Sequence, residues 1–143
     1  IRSVIEIKNG SFSWRSDSEP ILKRINISIN KGELVGIVGK IASGKTSLLN
    51  AIIGEMCILD GAVSIKGSMS YVPQNPWIRK ISTKDNIILS KKYIENDYKN
   101  VIRICDLDFD LRTNQADELN GVDRMLCSGG QRQRINLARA VYQ

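Results

Sequence analysis

Histidine is missing from all 143 residues, which excludes any chemistry that needs an imidazole. Cysteine is scarce. Cys57, Cys105 and Cys127 match no metal-ligand spacing, and an odd count argues against a disulfide framework. Cys105 falls in an apolar helical stripe and reads as a core residue, so the chain reads as reduced and cytosolic-facing. No apolar run approaches the roughly 18 residues of a membrane span, and no segment of these residues reads as a signal peptide. The chain opens on Ile1 rather than Met, and is therefore expected to be a piece of something longer. Short-period repeats and disorder-like composition are also absent.

What remains is ordinary for about one soluble globular domain, with 42% hydrophobic and 25% charged residues. The formal charge of +6 admits a polyanion groove. However, Lys23-Arg24, Lys91-Lys92 and Arg132 to Arg139 are small separate groups, which fits a solvated surface with a few phosphate contacts.

Val4 to Lys8 and Ser11 to Trp14 read as short strands, with Arg15 to Pro20 a polar connection. Ile25, Ile27 and Ile29 alternate with polar residues, as in a half-buried strand. Leu34 to Val38 is a nearly continuous apolar run, the pattern of a strand buried on both faces. A helix is expected from about Lys45 to Met56, then a turn at Asp60-Gly61 and strands at Ala62 to Lys66 and Ser68 to Val72. Ser82 to Asp85 has the spacing of a helix start. Glu95 to Cys105 carries the stripe Tyr98, Val101, Ile102 and Cys105. A last helix begins near Gly130, with Ile135, Ala138 and Val141 on one face. The class is mixed α/β.

Gly39-Lys40-Ile41-Ala42-Ser43-Gly44-Lys45-Thr46 fits G-x-x-x-x-G-K-[ST] between an apolar run and a helix, the context this motif requires. Inward-turned N–H groups form an anion nest, and the helix start adds partial positive charge. Lys45 supplies a cation for the terminal phosphates, and the Thr46 hydroxyl suits Mg2+. Ser128-Gly129-Gly130-Gln131 precedes an arginine-rich amphipathic stretch, and Ser128 suits a helix cap. Taken alone, this turn equally fits a flexible glycine connection.

In order, these motifs resemble the nucleotide-binding domain of ATP-binding cassette (ABC) transporters. Gly39 to Thr46, with Ser47, looks like the Walker A loop, and Gln74 in Tyr71 to Ile78 like the Q-loop glutamine. Ser128 to Arg134, followed by Leu137 to Tyr142, resembles the signature motif and its helix, and Trp14 the aromatic that stacks on adenine. Gly54-Glu55-Met56, Ile65 to Ser68 and Asp85-Asn86-Ile87 resemble the C subfamily, which contains the multidrug-resistance-associated exporters and the cystic fibrosis chloride channel. The resemblance implies a P-loop NTPase fold. It would have an antiparallel β subdomain and a strand–P-loop–helix core in residues 1–73, and the Q-loop and a helical subdomain in 74–143.

The same resemblance implies ATP and Mg2+ as cofactors. Lys45 and Gln74 would be catalytic, and Trp14, Gly39, Lys40, Ile41, Ala42, Ser43, Gly44, Lys45, Thr46, Ser47 and Gln74 would bind nucleotide, with Thr46 and Gln74 at the metal. Ser128, Gly129, Gly130 and Gln131 would close over the ATP of a second cassette paired head to tail. The other partners are transmembrane domains, which place the protein on the cytosolic face of a membrane, and no nucleic acid is expected.

Three departures stand out. Ala42 replaces a glycine, Cys127 a leucine and Arg124 a glycine. The family's next strand, with its Mg2+ aspartate, and its γ-phosphate-sensing histidine have no counterpart up to Gln143. The chain alone is therefore expected to lack hydrolysis and to be poorly soluble, with an apolar edge at Leu34 to Val38. The parent's function is expected to be ATP-driven transport. A soluble cassette ATPase acting on nucleic acid or ribosomes, and a non-catalytic regulatory module, are the alternatives.

Overall fold

A computed structural model describes residues 3–109 and 128–143. The chain divides into two compact units, Ile1–Met69 and Ser70–Gln143.

The first unit is built on a three-stranded antiparallel sheet of order β2-β1-β3, with β1 at Ser3–Ser13, β2 at Leu22–Asn30 and β3 at Cys57–Ile65. The two short strands expected at the start are one strand carrying a bulge. Its register slips between Ile7 and Gly10 against β2, and between Lys8 and Ser11 against β3. Asn9 takes φ 49° there, a left-handed conformation that asparagine tolerates. Its N–H donates to Asn26 Oδ1 at 2.9 Å, and Asn26 Nδ2 donates back to Asn9 Oδ1 at 3.0 Å. Asp60-Gly61, expected as a turn, lies inside β3 opposite this bulge. Gly61 has φ +84°, and a Cβ on it would sit 2.4 Å from Lys8 O and 2.5 Å from Asn9 O. Only glycine lets the two backbones approach this closely.

Ile25, Ile27 and Ile29 are half-buried on one side of β2 while Asn26 and Ser28 are exposed, as their alternation predicts. Helix α1, Lys45–Ile53, covers the sheet. Ile7, Phe12 and Leu22 from the strands pack with Ala51, Ile52 and the following Met56 in one core. Full burial of a side chain such as Ile7 or Phe12 contributes roughly 1.5–3 kcal/mol. The helix stops short of the expected Met56. Gly54 turns left-handed at φ 87°, and the N–H groups of Gly54 and Glu55 bond back to the Ala51 and Asn50 carbonyls.

Two expected strands are corrected. Leu34–Val38 forms no strand, and Leu34 and Val38 are fully exposed. Ser68–Val72 also lies outside any strand. An apolar run becomes a strand only when a neighbour supplies hydrogen bonds and a facing layer, and among the described residues neither segment has one. The strand–loop–helix unit is thus present as loop and helix without its strand.

The second unit is helical. Helix α2, Thr83–Ile88, begins as the Ser82-to-Asp85 spacing predicts, with Ser82 Oγ accepting from the Asp85 N–H at 3.0 Å. Helix α3, Glu95–Ile104, has Glu95 and Asp97 in its first turn and Arg103 in its last, each suited to the helix dipole. Helix α4 is Gly129–Tyr142. The core joins Ile87, Val101, Ile102, Cys105, Leu107, Ile135 and Ala138, with Tyr98 and Tyr142 at its border. Val141, expected on the buried face of α4, is exposed. At about 100° per residue, Tyr142 lies about 20° from Ile135 around the helix, whereas Val141 lies about 120° away. Tyr142 accordingly packs on Tyr98 and bonds through its hydroxyl to the Ile94 N–H and the Lys92 carbonyl.

Cys105 is buried and free, and burial pushes its thiol up from the ordinary value. Cys57 is also free. The departures read at Arg124 and Cys127 lie outside the described residues. Among the described residues no helix is long and apolar enough to cross a membrane.

Candidate functional site

The loop from Gly39 to Thr46 runs into α1 without any side-chain cap, because its N-cap position is Gly44, left-handed at φ 90°. The first-turn N–H groups of a helix have no partner within it, so those of Lys45, Thr46 and Ser47 point out of the helix start. Beside them is a cavity of about 300 Å3 lined by Ile21, Ala42, Ser43, Gly44, Lys45, Thr46 and Ser47. Lys45 folds back over the loop. Its ammonium donates to Lys40 O at 2.7 Å and Gly39 O at 3.0 Å. The Ser43 N–H bonds to Lys40 O at 3.2 Å, which closes a turn inside the loop. Gly39, Lys40 and Ile41 belong to this loop but do not line the cavity.

Ala42 sits at φ 61°. The position that departs from glycine is therefore one where glycine is the unstrained residue, and alanine costs on the order of 1 kcal/mol there. Thr46 is exposed at the mouth of the loop, with its hydroxyl accessible to a cation or phosphate. Among the described residues there is no cluster of three His, Cys, Asp or Glu that could hold a metal.

Trp14 follows directly on β1 and is half exposed, which leaves an indole face open. Ile21 is a wall residue that the sequence reading does not identify. The Ile21 N–H bonds to Phe12 O at 2.8 Å, and Leu22 pairs with Phe12. The β1–β2 pairing thus carries Ile21 to the loop and holds Trp14 near the same strand end. No local pattern around Ile21 signals this, because the pairing of the two strands creates it.

In the second unit, Gln74 is exposed in an irregular segment, and its carbonyl accepts from Gln133 Nε2 at 2.7 Å. Ser128 caps α4 in a capping box: its Oγ accepts from the Gln131 N–H at 3.2 Å, and Gln131 Oε1 accepts from the Ser128 N–H at 2.8 Å. Gly129 and Gly130 have no positive φ, and added Cβ atoms would meet nothing closer than 3.6 Å. Neither backbone strain nor packing requires glycine at these two positions. Their effect is to leave no side chain between Ser128 and Gln131 at the helix start.

Residues 22–143 match the family described as ABC transporter. The chain is 44% identical over 141 residues to ATP-binding cassette sub-family C member 3 of Rattus norvegicus, which covers 97% of this chain and 9% of that protein. It is 40% identical over 142 residues to ATP-binding cassette sub-family C member 2 of Homo sapiens, covering 98% of this chain and 9% of that one. ABC transporter C family member 9 of Arabidopsis thaliana is 42% identical over 142 residues, covering 97% of this chain and 9% of that protein. The chain thus spans about a tenth of the length of these relatives. A P-loop, a capped glycine turn and this level of identity over nearly all its residues place the chain in the ABC transporter family, as an ATP-binding domain homologous to those of the C subfamily.

Proposed function

We propose that this chain binds Mg-ATP at the Gly39–Ser47 loop and serves as part of the cytosolic motor of a membrane transporter that couples ATP binding and hydrolysis to transport. The observation that carries this reading is the cavity of about 300 Å3 at the uncapped start of α1, with Lys45 at its wall.

The residues fit a nucleotide. First-turn amides and the cationic Lys45 would provide donors for the β- and γ-phosphates, and Lys45 would exchange the Gly39 and Lys40 carbonyls for phosphate oxygens. The half-exposed Trp14 ring suits stacking on adenine. The Thr46 hydroxyl would help to hold Mg2+, which neutralises charge on the transferring phosphoryl group. Ser128 to Gln131, whose two glycines nothing in the fold requires, suits the approach of an ATP held by a second, head-to-tail cassette. Transmembrane domains are the remaining partners, and the helical unit carrying the signature turn is the helical subdomain.

The test is photolabelling of the full-length protein with an azido-ATP analogue, followed by mapping of the labelled peptide. Labelling that spans Trp14 or the loop, competed by Mg-ATP and reduced at least tenfold by Lys45→Ala, is the expected result. Labelling untouched by Lys45→Ala removes the assignment.

A further inference from the structure

Arg139 is a buried cation, only 6% exposed, and among the described residues no carboxylate pairs with it. Dipoles surround it instead. Its Nε donates to Asn86 O at 2.7 Å and its Nη1 to Asn136 Oδ1 at 2.5 Å. Its Nη2 donates to Trp77 O at 3.1 Å and Asn86 Oδ1 at 3.3 Å. The guanidinium carbon also lies 3.5 Å from the centre of the Trp77 ring. A planar cation with directed donors suits both the forked bonds and the stacking, and a lysine ammonium does not reproduce the forked bonds.

Asn86 extends this network. It is 1% exposed, and its Nδ2 donates to the carbonyls of Arg79, Ile81 and Ser82 while its Oδ1 accepts from the Arg79 N–H. Arg139 therefore holds, through a single side chain, both Trp77 and the clip that shapes residues 79–82.

A second strut lies on the same helix, where Gln133 Nε2 donates to Gln74 O at 2.7 Å. The two struts leave α4 six residues apart, ~9 Å of helix rise. The segment from Gln74 to Trp77, which bends at Gln74 and Asn75, is thus attached to α4 at both ends.

We propose that Arg139 is a positioning residue that fastens the Gln74–Trp77 segment to α4, so that Gln74 and the Ser128–Gln131 turn at the start of that helix move as one body. This rests on the reading of Gln74 and of that turn as nucleotide contacts. A change at either contact would then be felt at the other through the helix, without any loop rearrangement between them.

The experiment uses the full-length protein with Arg139→Lys, which keeps the charge, and Gln133→Ala, which removes only the half-buried strut. Arg139→Lys is expected to lower kcat for ATP hydrolysis at least tenfold while changing KM less than threefold, and Gln133→Ala to lower kcat about threefold. Hydrogen exchange of amides 77–82 is expected to quicken at least tenfold in Arg139→Lys, with the amides of β1 unchanged. The proposal is overturned by a kcat within twofold of wild type in Arg139→Lys, or by unchanged exchange at 77–82. If Arg139→Lys does not fold, Gln133→Ala decides: faster exchange at 74–77 with reduced kcat supports the fastening, and wild-type values of both overturn it. A wild-type protein without any ATP hydrolysis sinks the functional reading, and exchange at 77–82 then judges the fastening separately.

Discussion

The ammonium of Lys45 donates to the Lys40 carbonyl at 2.7 Å, so the loop's own cation is bonded to the loop's own backbone. A phosphate must displace this bond and the one to Gly39. Under the proposed reading Lys45 would have two roles, closing the free loop and meeting the anion.

Lys45→Met should remove both. ATP affinity of the full protein is expected to fall at least tenfold, which corresponds to about 1.4 kcal/mol. Calorimetric titration with Mg-ATP checks this, and an affinity within twofold of wild type would contradict the assignment.

Ala42 at φ 61° makes a graded prediction. Ala42→Gly relieves left-handed strain of ~1 kcal/mol but loosens the unfolded chain by ~0.4–1 kcal/mol, so thermal stability should barely change. Ala42→Val places a β-branched residue in the same conformation and should cost ~1–3 kcal/mol, with weaker nucleotide binding. Thermal unfolding of the two variants, with and without Mg-ATP, separates them, and equal behaviour would refute the strain.

Two glycines of similar φ should respond differently to alanine. Gly54 has φ +87° with nothing within 4 Å of an added Cβ, and Gly54→Ala should cost only ~1 kcal/mol. Gly61 has φ +84° and two backbone oxygens within 2.5 Å of the same added atom. Gly61→Ala must break the bulge opposite Asn9 and should cost ~3 kcal/mol or more. Chemical denaturation gives the comparison, and similar losses at both sites would show that the backbone approach at Gly61 is not limiting.

Glu33 makes a pH-dependent prediction. The Asn30 N–H and Nδ2 each donate to its carboxylate at 2.8 Å, and these bonds hold its pKa below the ordinary 4.5. A depressed folded pKa adds stability above the unfolded value, and that stability is lost as pH falls through the folded one. Wild type should therefore melt above Glu33→Gln at pH 7, with the two curves converging as pH drops below about 4.5. A gap that does not narrow as pH falls below 4.5 would show that the charge is not the cause.

Local chemistry was readable along the chain. The Gly39–Thr46 loop, the Ser82 and Ser128 caps, the alternation of Ile25 to Ile29 and the stripe from Tyr98 to Cys105 each follow from residues a few positions apart, where covalent geometry restricts the partners. Features that depend on distant partners were not readable. Leu34–Val38 has the composition of a buried strand but no ladder neighbour among the described residues, and Asp60-Gly61 has the composition of a turn but faces a bulge in β1. Arg139 looked like one more charge in a basic stretch, yet its partners Asn86 and Trp77 stand 53 and 62 residues away. A cap or a helical stripe is a short-range preference carried by neighbouring residues. Pairing a strand, placing Ile21 at the cavity wall or burying a cation among carbonyls needs groups that meet only once the chain has folded.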